Sequence, residues 1–436
     1  MRILTVCNLF PPYVLGGNEL RLAEILEQLR TRHEVTTLTS ETPPGLDVPE
    51  RPWIHRTLLQ SVPYPHPLGN QPLLFGRELM IGAINYATAR RLIARKKPDV
   101  VYMSDTKRTF LGPAHAAQDA GVPLVWDITD KSLSSYRRRP AVRRWAPWSR
   151  LAGLSFEHAI AISRFIRDDL VAAQILPESA TFINQGVDLS RFGVDAPRVS
   201  AGPARRLLYV GTLIPDKGLH VVLRALARLC VSGADYRLTV CGDSGDSAYK
   251  AKLMAFVVEH GLQNRVDFRG RVPSSDTPAL YREHDAFVFS SLWPEPFATT
   301  PLEAMAAGCP VVGTPVGGQK DFFRHDVNCL TYAETSDFEL AERIRGLADP
   351  SRRLRIALTA LADVRERFDF SDYVRKIENV LTRAATRALP LPRDGTPEMR
   401  TYSFEDELSL RRGQPESPER RPKNEQVQHL DSGHLP

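Results

Sequence analysis

Cysteine is scarce in this sequence of 436 residues, and its spacing favours neither disulfides nor a metal site. The five cysteines are odd in number, none stands in a CxxC motif, and most lie within or beside apolar runs. Such cysteines are typical of small buried hydrophobic side chains in a reducing compartment, so we predict a cytoplasmic location. They are Cys7, Cys230, Cys241, Cys309 and Cys329.

Long apolar runs are also missing. No stretch approaches the ~18 consecutive apolar residues that a membrane-spanning helix requires. The N-terminal MRILTVCNLFPP has one arginine and a short apolar run followed by prolines, which favours a buried strand over a signal peptide. The composition, 42% hydrophobic and 25% charged, is typical of a globular protein, and the length favours two domains.

The net charge of +6 is unevenly distributed. Residues 1–187 contain 23 Lys and Arg against 17 Asp and Glu, whereas the remainder contains 34 of each kind. The excess is concentrated in YRRRPAVRRWAPWSR (136–150), which has six arginines, no acidic residue and two tryptophans. This segment indicates contact with an anionic membrane surface or a phosphorylated acceptor, or else a solvated arginine-rich surface. Nucleic acid is disfavoured because no recognised binding motif accompanies it.

Short apolar runs alternate with amphipathic helical stretches in both halves, which predicts the α/β class with two Rossmann-like, doubly wound domains facing a cleft. We predict domains over 1–187 and 205–370, a linker over 188–204, a C-terminal helix over 371–390 returning to the first domain, and a disordered tail over 391–436. The predicted strands are ILTVCN, EVTTLT, PDVVYMS, PLVWDI and AIAIS, then LLYVGTL, RLTVCGD, RVDFRG, AFVFSS and PVVGTPVG.

The stretch PEPFATTPLEAMAAG (294–308) carries two glutamates eight positions apart. With Thr300 as N-cap and Pro301 as the first helical residue, Glu303 would complete a T-x-x-E capping box. The same helix start suits phosphate oxygens, and Glu303 would then accept hydrogen bonds from ribose hydroxyls. Glu295, on the preceding loop, would be placed to hold a second sugar. Both interpretations of Glu303 stay open from this stretch alone.

Two further loops carry candidate ligand contacts. Gly16-Gly17, between the first strand and a helix, would let backbone N–H groups approach a phosphate or sugar, or would simply form a turn. Lys217 follows a Gly- and Pro-containing loop at the predicted start of a helix, VGTLIPDKGLH. A cation is poorly placed for the dipole there, which makes an anionic ligand an attractive partner, while an exposed lysine in a turn stays the alternative.

Taken together, PPYVLGGNE, AISRFIRDDL, NQGVD, YVGTLIPDKGLHVVLRAL and EPFATTPLEAMAAGCPVV resemble the retaining glycosyltransferases of family 4. The resemblance runs over about residues 1–385 and includes the E-x7-E signature at Glu295 and Glu303. It implies the two-domain GT-B fold and a nucleotide-diphosphate sugar, a UDP- or GDP-sugar, as donor. It also implies hexosyl transfer with retention, without a cofactor. The absence of any D-x-D motif fits a reaction without a bound metal.

The resemblance also implies roles for particular residues. Lys217 would neutralise the leaving diphosphate, Glu295 would position the transferred sugar, and Glu303 would bind the ribose. The stretch from Arg269 to Val272 resembles a base-binding segment. The implied donor-binding residues are Gly16, Gly17, Thr212, Lys217, Arg271, Glu295, Ala298, Thr299, Thr300 and Glu303.

The sequence departs from the family pattern at three places. Thr212 stands where the family usually has a second diphosphate-binding arginine, leaving Lys217 as the main cation unless Arg164 or Arg271 contributes. Ala298 replaces a usual glycine. No histidine occurs between His115 and His158, where many members carry one near the reacting carbon. We place Asp127, Thr129, Asp130 and Arg164 on the acceptor side.

The sequence thus predicts a retaining hexosyltransferase that acts on a hydroxyl of a glycan, a lipid-linked acceptor or a small molecule. Two alternatives stay open. A nucleotide-sugar epimerase shares the architecture, and a non-catalytic nucleotide-sugar-binding protein is favoured by Thr212 and the missing histidine.

Overall fold

The computed structural model describes residues 1–43, 45–46, 48–49, 51–60, 73–104, 108–137, 150–231 and 233–386, and the side chains of these except 73–77 and 137. Most of the arginine-rich segment 136–150 and all of the predicted tail 391–436 lie outside the described residues. Both sheets described below belong to one compact unit, Met1–Leu389.

The first half forms a six-stranded parallel sheet in the order β3-β2-β1-β4-β5-β6. Its central strands are buried on both faces, as expected of a parallel sheet covered by helices. The strands are β1 Arg2–Cys7, β2 Glu34–Ser40, β3 Ile54–Leu58, β4 Val100–Ser104, β5 Leu124–Ile128 and β6 His158–Ala161.

The second half forms another six-stranded parallel sheet, in the order β12-β11-β10-β7-β8-β9. Read from the opposite edge this is the same 3-2-1-4-5-6 order, so both halves have the Rossmann topology and the predicted fold class is confirmed. The strands are β7 Arg206–Val210, β8 Arg237–Cys241, β9 Val266–Gly270, β10 Ala286–Phe289, β11 Val311–Gly313 and β12 Leu330–Thr331.

The helices cover both sheets. They are α1 Gly17–Arg30, α2 Leu73–Lys96, α3 Gly112–Asp119, α4 Ser132–Arg137, α5 Arg164–Ala172, α6 Leu189–Phe192, α7 Leu219–Cys230, α8 Ser247–Glu259, α9 Thr277–Glu283, α10 Thr300–Ala306, α11 Asp337–Arg345, α12 Pro350–Arg367 and α13 Phe370–Thr386. Short 3-10 turns occur at Pro215–Lys217 and Gly317–Asp321.

Two edge strands were not predicted. β3 has the sequence IHRTL, and a histidine and an arginine hide its apolar pattern, as befits a half-buried strand at the sheet edge. β12 contains two residues, too few for any periodicity. Both strands lie at the ends of their sheets, so missing them left the predicted sheet centres intact.

The last helix, α13, packs on the first sheet rather than the second. Its buried side chains join those of α1 and of strands β1 and β4 in one hydrophobic cluster. Leu381, for example, is fully buried in that cluster. A helix that follows the second sheet in the chain therefore completes the hydrophobic core of the first half.

The chain crosses between the halves twice, and the two crossings are hydrogen-bonded to each other. The Val187 N–H donates to the Phe368 carbonyl over 2.7 Å, and the Phe370 N–H donates to the Val187 carbonyl over 3.1 Å. Helix α6 follows the first crossing, inside the predicted linker. The linker is thus ordered structure packed between the two halves.

Candidate active site

A cleft of about 470 Å³ lies at the carboxyl ends of the strands of both sheets. This is where open parallel sheets bind ligands. Loops after β1, β5 and β6 meet loops after β7 and β10 there. The predicted site residues that line the cleft are Gly17, Thr129, Asp130, Thr212, Lys217, Glu295, Ala298, Thr299 and Thr300.

The turn that carries Lys217 is fixed against the end of β10. The α-helix after it begins at Leu219 rather than near Lys217, because Gly218 adopts a left-handed conformation, φ 70°, between the 3-10 turn and α7. A Cβ atom on Gly218 would lie 2.0 Å from the Ser290 carbonyl oxygen, so only glycine fits this approach. The Ser290 hydroxyl donates to the Lys217 carbonyl over 2.9 Å. Lys217 is thereby presented to the cleft by a rigid turn.

Glu295 faces the same space from the loop after β10. Its carboxylate forms an ion pair with the Lys217 ammonium and accepts a 2.7 Å hydrogen bond from the Ser291 hydroxyl. Glu295 is 8% exposed and Lys217 keeps 30% of its side chain exposed. The two residues to which the sequence assigned the sugar and the diphosphate are therefore in direct contact with each other.

The loop of Glu295 is supported from beneath by Gly317 and Gly318. The Gly318 N–H donates to the Glu295 carbonyl over 2.8 Å. Gly317 has φ 52°, and a Cβ there would lie 2.0 Å from the same carbonyl oxygen. The sequence assigned no chemistry to the VGGQKD turn. In the structure this turn supports the backbone of Glu295.

Glu303 lies inside α10, and the predicted capping box is wrong. The N-cap is Thr299 and not Thr300, and no side chain caps the helix backbone. The Glu303 carboxylate instead accepts hydrogen bonds from the Tyr281 hydroxyl, at 2.9 Å, and from the Thr299 hydroxyl, at 3.3 Å. Side chains rather than backbone groups hold this carboxylate, so the capping role that competed with ribose binding is removed.

Burial raises the pKa of Glu303 above its usual range, and the hydrogen bond from Tyr281 and the charge of Arg191 oppose that shift. The Tyr281 hydroxyl is itself fully buried, and burial and the adjacent Glu303 carboxylate raise its pKa. A hydroxyl with a raised pKa keeps its proton, so Tyr281 stays a hydrogen-bond donor to Glu303.

The N-terminal domain reaches the cleft through the first turn of α1. Gly17 lines the cleft, while Gly16 is the extended N-cap, with φ −158°, and donates its N–H to the Glu19 carboxylate over 2.9 Å. Asn18 and Arg21, which the sequence did not indicate, also line it. The two glycines before a helix predicted that this loop contacts a ligand, but they did not indicate the polar side chains that follow it.

Asp127 does not line the cleft. It is buried beneath it in an ion pair with Arg21, whose Nη2 lies 2.5 Å from Oδ2, with 2% and 1% of the two side chains exposed. The Tyr373 hydroxyl of α13 accepts a hydrogen bond from the same guanidinium. Thr129 and Asp130 do line the cleft, whereas the Arg164 side chain is 63% exposed at the start of α5.

The remaining candidate cation, Arg271, and the predicted base-binding stretch lie at the end of β9. Arg271 is exposed on the loop after β9, and Arg269 pairs with Asp267 over 2.9 Å. Thr212 is exposed at the cleft after β7. Among the described lining residues, Lys217 and Arg21 are the cations, and both are ion-paired, with Glu295 and Asp127. The Arg21 side chain is 2% exposed and that of Lys217 30%, so Lys217 is the more accessible of the two cations.

Comparison with known proteins matches this architecture. A model described as Glycosyltransferase Family 4 matches residues 15–191, and one described as Glycosyl transferases group 1 matches residues 196–360. An uncharacterized glycosyltransferase of Methanocaldococcus jannaschii is 26% identical over 396 residues, covering 87% of this chain and 97% of the relative. A glycogen synthase of Mycobacterium tuberculosis is 27% identical over 402 residues, covering 85% and 92%.

Solved structures share the fold. Anabaena HepE, crystallised with UDP and glucose, superposes with a TM-score of 0.66 at 23% identity, covering 88% of this chain and 100% of its own. Sucrose-phosphate synthase of Thermosynechococcus elongatus gives 0.67 at 18% identity, covering 88% and 98%.

The two Rossmann-like halves have the GT-B fold, and the family matches place the chain among the glycosyltransferases. The two matched segments account for most of the chain, and the chain belongs to the family 4 type of glycosyltransferases. Within the described residues, no helix is both long enough and apolar enough to cross a membrane.

Proposed function

We propose that this enzyme transfers a hexosyl group from a nucleotide-diphosphate sugar to an acceptor hydroxyl with retention at the anomeric carbon and without a metal. The observation that carries the proposal is the Lys217–Glu295 pair in the cleft. A cation for the diphosphate and a carboxylate for the sugar hydroxyls lie side by side, as a donor with adjacent phosphate and sugar groups requires.

Donor binding would exchange partners within this pair. The diphosphate takes the Lys217 ammonium, and a sugar hydroxyl donates to Glu295 in its place. The Ser291 hydroxyl keeps one oxygen of Glu295 hydrogen-bonded throughout. Because the carboxylate is already oriented by Ser291 and the Gly318 N–H anchors its backbone, little further ordering is needed to receive the sugar.

The nucleoside end of the donor would lie against α10. The Glu303 carboxylate accepts from the vicinal ribose hydroxyls, held in orientation by Tyr281. Thr299 and Thr300 border the cleft where the diphosphate would lie between ribose and hexose. The base would contact the loop after β9, which contains Arg271.

In the transfer step the bond between the anomeric carbon and the phosphate oxygen breaks, and the acceptor oxygen bonds to the same face of the carbon. The acceptor proton passes to the departing phosphate oxygen. Lys217 stabilises the negative charge that develops on the leaving diphosphate. Glu295 serves as a positioning carboxylate, because its pairing with Lys217 and Ser291 matches a binding role better than a nucleophile.

The acceptor would enter beside Thr129 and Asp130, on the N-terminal side of the cleft. Asp127 is excluded from direct contact by its burial with Arg21, and its role becomes support of the cleft floor. A glycan or lipid-linked acceptor, a cytoplasmic location and contact of segment 136–150 with an anionic membrane remain predictions from the sequence.

The base is a uracil or a guanine. HepE was crystallised with UDP, and a GDP-mannose-dependent alpha-mannosyltransferase of Mycobacterium tuberculosis is 28% identical over 369 residues. Both donor types are therefore candidates.

The direct test incubates the enzyme with UDP- and GDP-hexoses and candidate hydroxyl acceptors, and follows the anomeric proton by NMR. We expect a new glycoside with the anomeric configuration of the donor. An inverted product would overturn the retaining mechanism. Isomerised donor without a glycoside would instead identify an epimerase, and bound but unchanged donor a binding protein.

A further inference from the structure

We propose that Arg191, in the linker helix α6, is a positioning residue for the donor nucleoside and acts through Glu303. Arg191 stands in no motif of the sequence, and the inference rests on the proposed function, in which Glu303 binds the ribose. Three sets of contacts carry it: those of α6 with α10, those of the guanidinium itself, and the charges around Glu303.

The linker helix packs directly on the elements that hold Glu303. Helix α6 contacts α10, and Phe192 is buried with its ring centroid 6.2 Å from that of Tyr281. Tyr281 in turn donates to Glu303. The segment that joins the two halves of the enzyme therefore packs against the residues that hold the Glu303 carboxylate.

Arg191 is fixed in place from two sides. Its guanidinium lies 4.8 Å from the centre of the Phe192 ring and donates a hydrogen bond to the Ser274 carbonyl. Ser274 belongs to the loop that follows β9, beside the predicted base-binding stretch. One side chain thus joins the linker to the nucleoside end of the cleft.

Side chains from four elements act on the Glu303 carboxylate, two by hydrogen bonds and two by their charge. Tyr281 of α9 and Thr299 at the start of α10 donate hydrogen bonds to it, Arg191 of α6 brings a positive charge, and Glu24 of α1 brings a negative charge. Burial and Glu24 raise the pKa of Glu303, while Arg191 lowers it. Arg191 is the one cation in this set, so it favours the ionised carboxylate that ribose hydroxyls need.

The experiment measures binding of UDP and GDP by calorimetry to the full-length wild type, Arg191→Gln and Arg191→Lys at about pH 5.5 and pH 7.5. The 2′,3′-dideoxy form of the tighter-binding nucleotide serves as a probe without ribose hydroxyls. Arg365→Gln is the matched control. Arg365 also donates to linker carbonyls, those of Val194 and Asp195, and is not among the groups facing Glu303.

We expect Arg191→Gln to weaken binding of the diphosphate about 5-fold at pH 7.5 and more strongly at pH 5.5, because the carboxylate is then protonated more readily. Binding of the dideoxy analogue should change less than about 2-fold, since it makes no ribose hydrogen bonds. Arg191→Lys should recover part of the loss, and Arg365→Gln should match the wild type.

Three results would count against this role. If Arg191→Gln weakened binding of the normal and the dideoxy nucleotide equally, Arg191 would only support the loop after β9 and would not act through Glu303. Unchanged binding in that variant would remove the role altogether. In both cases the wild type still binds nucleotide, so the proposed function stands. A wild type that binds neither UDP nor GDP would instead remove the proposed function, and the role of Arg191 with it.

Discussion

Lys217 and Glu295 stand 78 positions apart in the chain and meet in the cleft. Their loops are built by different glycines, Gly218 and Gly317, each placed where a Cβ would strike a carbonyl oxygen. The two residues proposed to hold the diphosphate and the sugar are ordinary in type. Their supports bring the ammonium and the carboxylate together as an ion pair at the cleft.

Replacing Lys217 by alanine should lower turnover by about 10²- to 10³-fold, because removing one preorganised group that stabilises developing charge typically costs that much. Steady-state rates with saturating donor measure this effect. Lys252→Ala, at an exposed position of α8, is the matched control and should retain full activity. Near-normal turnover in Lys217→Ala would remove it from the leaving-group role.

Donor affinity should depend on the ionisation of Glu303. Burial raises the pKa of this carboxyl, so it becomes protonated at a higher pH than an ordinary carboxyl does. As the pH is lowered, donor affinity should therefore begin to fall at that higher pH. Glu303→Gln should bind donor more weakly and lose that pH dependence while keeping the thermal unfolding temperature. Calorimetric titrations of both proteins across the pH range measure it. Wild-type affinity that does not change over this range would contradict the ribose role.

The sequence pointed to Lys217, Glu295 and Glu303 as candidates because they stand in recognisable motifs. It could not identify Tyr281, Arg21 or Arg191, because their roles arise from contacts between segments far apart in the chain. The capping-box error has the same cause. The local spacing fitted a helix cap, but the Glu303 carboxylate accepts a hydrogen bond from the Tyr281 hydroxyl, 22 positions away, instead.

Among the structural elements, the turn Gly317–Asp321 is the support of Glu295. Gly317→Ala should disturb the Glu295 loop, since the added Cβ would lie 2.0 Å from a backbone carbonyl oxygen that cannot move freely. We expect a loss of donor affinity together with a lower unfolding temperature. Gly245→Ala is the control, because nothing lies within 4 Å of a Cβ there. Equal behaviour of the two variants would show that the turn is not needed.

The central strands could be predicted because each is a continuous apolar run, as in β4, where all five residues are buried. Strands β3 and β12 could not, because the apolar pattern of β3 is interrupted by a histidine and an arginine and β12 has only two residues. Helix boundaries shifted where glycine intervened, as at Gly218 before α7.

For the molecule as a whole, helix α13 ties the end of the second half to the core of the first. Leu381→Ala should lower the free energy of unfolding by about 2–5 kcal/mol, the usual cost of emptying a fully buried leucine site. Urea unfolding measures this. Asn379→Ala, exposed on the same helix, should change it by less than about 0.5 kcal/mol. A similar cost for both variants would contradict the packing described here.

The two-sheet architecture followed from the alternation of strands and helices. The packing of the halves could not be foreseen. The Ser163 hydroxyl donates to the Pro296 carbonyl over 2.6 Å, and the Arg164 N–H donates to Asp321 over 2.9 Å, joining the halves beside Glu295. Such contacts depend on the relative placement of two folded units, which local sequence patterns do not encode.

The most direct test of the account is a thermal-shift panel of UDP- and GDP-sugars against the wild type and Glu295→Gln. A ligand that binds the native state raises its unfolding temperature. We predict a clear increase for sugars carrying one of the two bases, and for Glu295→Gln an increase no larger than the free nucleoside diphosphate gives. No shift with any nucleotide sugar, or an equal shift in both proteins, would contradict the assignment of this cleft to donor binding.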